Sequence, residues 1–245
     1  MKFFLLLLAH LLGDFVFQTS AMAVNKMYDF RAFLKHCAVY AAFIFLALIW
    51  YGSILQILAH GAIITLSHFL VDMLRCGIQK RPKYEKKREF LYFNLDQLIH
   101  IAVLILFSFS AQEANGLGKT LTGIYIGLFG NTMFPALVIA TAYCICLHPA
   151  GIFIKKVLMR LEYQKVDDSK ENIPGFLIGV LERLCVLTLA LIGQYTAVSF
   201  VIAAKSLARM KLLEEKEFAE KYLVGTLISV VIATLCGTAV NLIIN

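Results

Sequence analysis

Apolar runs of helix length, separated by short polar or basic stretches, recur from one end of the chain to the other. They fall at roughly 2–20, 33–51, 53–75, 89–110, 131–156, 174–193, 195–210 and 222–244, and most are long enough to cross the ~30 Å hydrocarbon layer of a bilayer. The pattern predicts an all-α fold, a polytopic transmembrane helical bundle of about eight spans. The count falls to seven if 195–210, the shortest run, lies along the interface. TLTGIYIGLFG at 120–130 reads as an interfacial or re-entrant piece. QEANGLGK at 112–119 is the best divider, separating an N-terminal four-helix membrane half (1–111) from a C-terminal membrane half (120–245).

Composition strengthens this reading. The chain is 60% hydrophobic and 16% charged, with a mean hydropathy of +0.78, whereas soluble domains are about a quarter charged. The start, MKFFLLLLA, imitates a secretory signal peptide, with Ala21-Met22-Ala23 as a small-residue cleavage site. A signal-peptide core has no use for His10 and Asp14, so the first run is expected to be retained as a helix. Six scattered cysteines suggest small buried residues rather than a disulfide framework.

The net charge of +7 is concentrated in loops: Arg75, Lys80, Arg81, Lys83, Lys86, Lys87 and Arg88 in one, and Lys155, Lys156, Arg160, Lys165 and Lys170 in another. Basic loops remain cytoplasmic, which orients the spans and puts both termini outside. No aromatic-basic motif accompanies the charge, so no nucleic-acid partner is expected. The lipid bilayer and further copies of the chain are the partners this composition admits.

The candidate chemistry lies inside the apolar runs. Of six aspartates, Asp29, Asp167 and Asp168 are in polar loops. Each of the other three has a histidine four positions away: His10/Asp14 in HLLGD, His68/Asp72 in HFLVD and Asp96/His100 in DQLIH. That spacing puts both members on one helix face. With His36, the seven residues fall at one depth, in the cytoplasmic leaflet. An aspartate at membrane depth costs about 2.5–3.5 kcal/mol on insertion scales and needs compensation. A divalent cation supplies it, and mixed imidazole and carboxylate donors suit zinc, manganese or iron. His10, Asp14, His36, His68, Asp72, Asp96 and His100 are thus candidate ligands of one or two ions. One of Asp14, Asp72 or Asp96 would act as a catalytic base. Two other readings stay open, private hydrogen-bonded pairs forming a polar seam and a proton relay.

The C-terminal half carries a second polar group, with Glu182 and Arg183 in one span, Lys205 and Arg209 in the next, and Glu220 opening the last. Arg183, Lys205 and Arg209 suit an anion clamp for a phosphate or carboxylate, with Glu182 and Glu220 as ion-pair support. An interhelical ion pair from Glu182 to Lys205 or Arg209 is the plainer reading.

HLLGDFVFQT…MAVNK, LKHCAVY, HFLVDMLR and DQLIH, followed by GVLERL and FVIAAKSLARMKLLEEKEFAEKYLVGTLIS, together resemble a bacterial membrane-protein family known as domain of unknown function 3307. The resemblance implies a multi-pass bacterial inner-membrane protein. His10, Asp14, Gln18, Lys26, His36, His68, Asp72, Asp96 and His100 match its N-terminal pattern, and Glu182, Arg183, Lys205, Arg209 and Glu220 its C-terminal one. The pattern is also similar to loosely defined inner-membrane metal-dependent hydrolases. The expectation is a membrane-embedded metal-dependent hydrolase acting on a lipid or a phosphate-bearing amphiphile. The alternatives are an ion- or proton-coupled transporter or channel using the same groups, and a non-catalytic receptor or assembly subunit with a structural metal.

Overall fold

The computed structural model describes every residue except 82, 83, 85–87, 111–114 and 162–172. Lys83, Lys86 and Lys87 of one basic loop, Asp167, Asp168, Lys165 and Lys170 of another, and positions 112–114 of the expected divider lie outside the described residues. The described chain is all-helical, with no strand. Its packing divides it into two units, Met1–Thr141 and Ala142–Asn245.

In the first unit, α1 (Lys2–Leu11) runs directly into a π turn at Leu12–Val16. There Phe17 N–H reaches back five residues to the Leu12 carbonyl, at 2.8 Å. Gly13 makes this turn compatible with its neighbour, because a Cβ there would stand only 3.0 Å from the Tyr40 backbone. Short α2 (Ser20–Asn25) is capped by Thr19, and α3 (Phe30–Leu48) by Asp29. A Ser53/Gln56 capping box starts α4 (Ile54–Gln79). Next come α5 (Glu89–Ser108) and α6 (Gly116–Phe129). Asn115 caps α6 and also donates to the Ile49 and Gly52 carbonyls. Gly118 is required there, since a Cβ would lie 2.2 Å from the Trp50 carbonyl oxygen.

The rest of the chain forms α7 (Met133–Leu147), α8 (Pro149–Arg160), α9 (Ile173–Leu191), α10 (Tyr195–Ala208) and α11 (Lys216–Ile244). Pro149 has no N–H to continue α7 and begins α8 instead.

Among the described residues, five helical stretches are long and apolar enough to cross a membrane: Phe30–Leu48, Ile54–Gln79, Glu89–Ser108, Met133–Arg160 and Lys216–Ile244. The expected run at 2–20 is instead an α-helix ending at Leu11 plus the π turn. The 120–130 piece is part of regular α6, and α10 has only 14 residues. Glu220 lies in the second turn of α11, which begins six residues before the expected 222.

The first unit buries a polar layer between apolar clusters and turns apolar faces outward. Along α4 the buried stripe reads Gly61, Ile64, His68, Asp72, Cys76, and along α5 it reads Phe93, Asp96, His100, Leu104. The opposite faces expose Leu58, Leu66, Leu70 and Leu74 on α4, and Leu91, Leu95, Leu98 and Leu106 on α5. Leu6, Ala9, Tyr40, Ile44, Leu48, Ile64 and Leu104 close one side of the polar layer, and Phe33, Cys37 and Cys76 the other.

Candidate metal centre

All seven donors expected from the sequence meet in the first unit, and each is at most 5% exposed. The end of α1 with its π turn and the interiors of α3, α4 and α5 contribute them. Their pairing is not the one that sequence spacing suggests. Asp14, displaced by the extra residue of the π turn, meets His36 of α3, with Oδ1 3.3 Å from Nε2. Asp72 also approaches His36 more closely than its own-helix His68, at 3.1 against 3.8 Å. Only Asp96 and His100 keep their i,i+4 partnership alone, at a loose 4.0 Å. Carboxylates that reach across helices argue against three private pairs.

His36 Nε2 is the hub. It stands 3.1 Å from His68 Nε2, 3.1 Å from Asp72 Oδ2 and 3.3 Å from Asp14 Oδ1. Donors held tetrahedrally at ~2.0–2.1 Å from one centre lie ~3.3–3.4 Å apart. The four measured separations, 3.1, 3.1, 3.3 and 3.8 Å, bracket that edge.

Gln18 sets which nitrogen of His36 is free. With its amide turned to satisfy every neighbour, Gln18 donates to the Asp14 carbonyl at 2.9 Å and accepts from His36 Nδ1 at 3.3 Å and Lys26 Nζ at 2.9 Å. A neutral His36 therefore carries its proton on Nδ1 and points a bare Nε2 lone pair at two carboxylate oxygens. That assembly repels itself unless a proton or a cation sits within it. The His68 ring is held beneath by Tyr40, stacked at 3.7 Å and 5°.

A second layer of contacts surrounds the hub. Gln97 accepts from His10 Nε2 at 3.2 Å and donates to Asp14 Oδ2 at 3.3 Å and Asp96 Oδ2 at 3.1 Å. Arg75, expected to belong to the basic loop, is on α4 and turns inward to Asp96 Oδ2 at 2.7 Å, with Glu89 at 3.1 Å. Glu89 in turn accepts from Gln79 and Tyr84. Lys26, at the end of α2, donates to Asp72 Oδ2 at 2.7 Å. Burial alone would discharge this ammonium, but Asp72 and Asp14 together outweigh burial and hold its pKa above the ordinary lysine value. Donor groups compatible with an ion comprise Asp14, His36, His68 and Asp72, then His10, Asp14 and His100, then Asp72, Asp96 and His100, each set within 4.8 Å. His60 lies apart, bonded to the Gln56 carbonyl of its own helix.

Sequence reasoning gave no role to Gln97, although it sits inside DQLIH, nor to the inward turn of Arg75. A polar residue adjacent to an aspartate within an apolar run was the available signal for Gln97.

In the second unit, Lys205 Nζ is 2.5 Å from Glu182 Oε2. Arg183 is buried, and its Nε donates to the Cys146 carbonyl at 2.7 Å. Arg209 is half-buried at the end of α10, and Glu220 is exposed. Two of the three expected clamp cations thus have internal partners, and the Glu182–Lys205 pair matches the plainer reading.

The profile of a family described as "Protein of unknown function (DUF3307)" matches residues 2–122. The chain belongs to this family through its N-terminal half. The DUF3307 segment holds all seven His/Asp donors together with Gln18, Lys26, Arg75 and Gln97, and it ends before Glu182. No curated protein and no solved structure matches the chain.

Proposed function

We propose that the DUF3307 segment is a membrane-embedded metal centre and that the protein is a metal-dependent hydrolase working in the cytoplasmic leaflet of a bacterial inner membrane. The observation that carries this reading is the convergence of two imidazole nitrogens and two carboxylate oxygens at tetrahedral-edge spacing, with the free lone pair of His36 set by Gln18. The apolar faces turned outward around a buried polar layer support a multi-pass protein with lipid around it. Zinc, manganese or iron fits this donor set.

An ion that keeps an open coordination position would supply a water of lowered pKa and polarise the bond to be cut. The residues supply the rest. Asp96 leaves Oδ1 without a hydrogen bond while Arg75 and Gln97 hold Oδ2, so Asp96 is the carboxylate best placed to take a proton. A site buried among the helices of a membrane bundle suits a lipid or another phosphate-bearing amphiphile. The test is release of water-soluble phosphate or headgroup from phospholipid vesicles by the reconstituted protein. Release that is lost with chelator, restored by one metal and absent in His36→Ala supports the reading. Stoichiometric metal without hydrolysis moves the protein to the receptor or structural-metal alternative.

One observation favours a rival. Lys26 on Asp72 and Arg75 on Asp96 already neutralise two carboxylates, so these two need no resident metal to compensate their charge. Cation-dependent flux in proteoliposomes, abolished by Asp96→Asn without any metal in the protein, would replace the hydrolase by a transporter.

A further inference from the structure

We propose a second cation subsite, formed by His10, Asp14 and His100, that shares Asp14 with the first and is where an anionic substrate oxygen binds. This inference rests on reading the His36 hub as a metal site. The three donors come within 4.8 Å of one another, and both rings are at most 2% exposed. His10 Nδ1 and both nitrogens of His100 have no hydrogen-bond partner despite complete burial. A buried polar atom left this way has lost its water without compensation, and three in one place indicate a missing ligand.

The tautomers agree with this reading. Gln97 gives its NH₂ to Asp14 and Asp96, so its oxygen faces His10 Nε2, which must be the protonated nitrogen. His10 Nδ1 is then a bare lone pair. On the other ring, His100 Nδ1 is 4.0 Å from Asp96 Oδ1, itself unbonded. His100 Nε2, likewise without a partner, is left to the ion, while Asp96 Oδ1 stays free to take a proton. Asp14 turns Oδ1 to His36 and Oδ2 to Gln97, so its two oxygens face the two subsites.

The two subsites differ in a way that assigns their roles. Four protein donors fill the first, whereas three leave a coordination position in the second, as at sites that bind substrate. Charge identifies the ligand class. Asp14, Asp72, Asp96 and Glu89 carry four negative charges against the two positive charges of Lys26 and Arg75, a difference of minus two. One dication balances that. A second requires an anionic partner, which the phosphate of an amphiphile or a free phosphate supplies.

The full chain in detergent, loaded with Mn²⁺, tests this through metal content and electron paramagnetic resonance. We expect two ions per chain with an exchange-coupled spectrum, and in His100→Ala one ion with the hyperfine pattern of isolated Mn²⁺. His10→Gln is expected to behave the same way and serves if His100→Ala does not fold. Inorganic phosphate should perturb the wild-type spectrum and leave that of His100→Ala unchanged. A lysophospholipid phosphate that acts at lower concentration than inorganic phosphate assigns the site to the amphiphile, and the reverse order assigns it to the free ion. One uncoupled ion in the wild type, lost in His36→Ala, overturns the second subsite and leaves the first intact. No bound ion in the wild type overturns both.

Discussion

Replacing Lys26 by Met removes a positive charge while keeping most of the aliphatic stem, and its consequence differs with and without metal. Lys26 Nζ lies 2.7 Å from Asp72 Oδ2, with side chains 13% and 2% exposed. Breaking a buried ion pair by deleting one partner costs about 3–5 kcal/mol, and the lower figure applies because Lys26 retains some contact with water. Without metal, Lys26→Met should therefore lose about 3 kcal/mol, since Asp72 becomes a buried anion facing a bare His36 lone pair. With metal the ion takes over the neutralisation and no longer competes with an ammonium on the same oxygen. Metal at a hundredfold excess over its Kd adds about 2.7 kcal/mol to the wild type, and it should add more to the variant. The assay is denaturant unfolding in detergent micelles, with and without Zn²⁺, in both proteins. An equal loss in both conditions would refute the reasoning, because Lys26 and the ion would then not share Asp72.

Four further outcomes follow from the same contacts. Gln97→Leu frees the His10 tautomer and two carboxylate oxygens, so metal affinity by competition titration should fall about 10–100-fold. Gly118→Ala drives a Cβ to within 2.2 Å of the Trp50 carbonyl, and unfolding should show a loss of about 1–3 kcal/mol with metal content unchanged. Arg183→Met strips the Cys146 carbonyl of its donor and should cost about 1–3 kcal/mol in the same assay, without altering metal binding by the DUF3307 segment. Acidification should release metal, because imidazole and carboxylate ligands bind only when deprotonated; a chelator-free pH titration followed by metal analysis checks the sign.

The helical class and the membership of the buried His/Asp cluster were legible in the sequence, and the partnerships were not. His68/Asp72 and Asp96/His100 lie on uninterrupted α-helices, where a four-residue spacing reports a shared face directly. His10/Asp14 has the same spacing but crosses a π turn, which depends on Gly13 meeting Tyr40 of another helix. That contact is tertiary, and no local periodicity announces it. Gln18, Gln97 and Lys26 acquire roles only once α1, α2, α3 and α5 face one another. Arg75 looked like the first residue of a basic loop, because loop charge and inward-facing charge are alike until the helix end is known. In the second unit, an ion pair and an anion clamp use the same residue types, and only the 2.5 Å Lys205–Glu182 contact favours the pair.

The central claim is that buried acids persist in this bundle because imidazoles gather with them around a shared metal ion. X-ray absorption at the metal edge of the purified full-length chain tests it most directly. The account predicts stoichiometric metal with a shell of only nitrogen and oxygen at ~2.0–2.1 Å, imidazole scattering beyond it, and loss of that signal in His36→Ala. Protein that carries no metal while remaining folded, or a metal bound through sulfur, would contradict it.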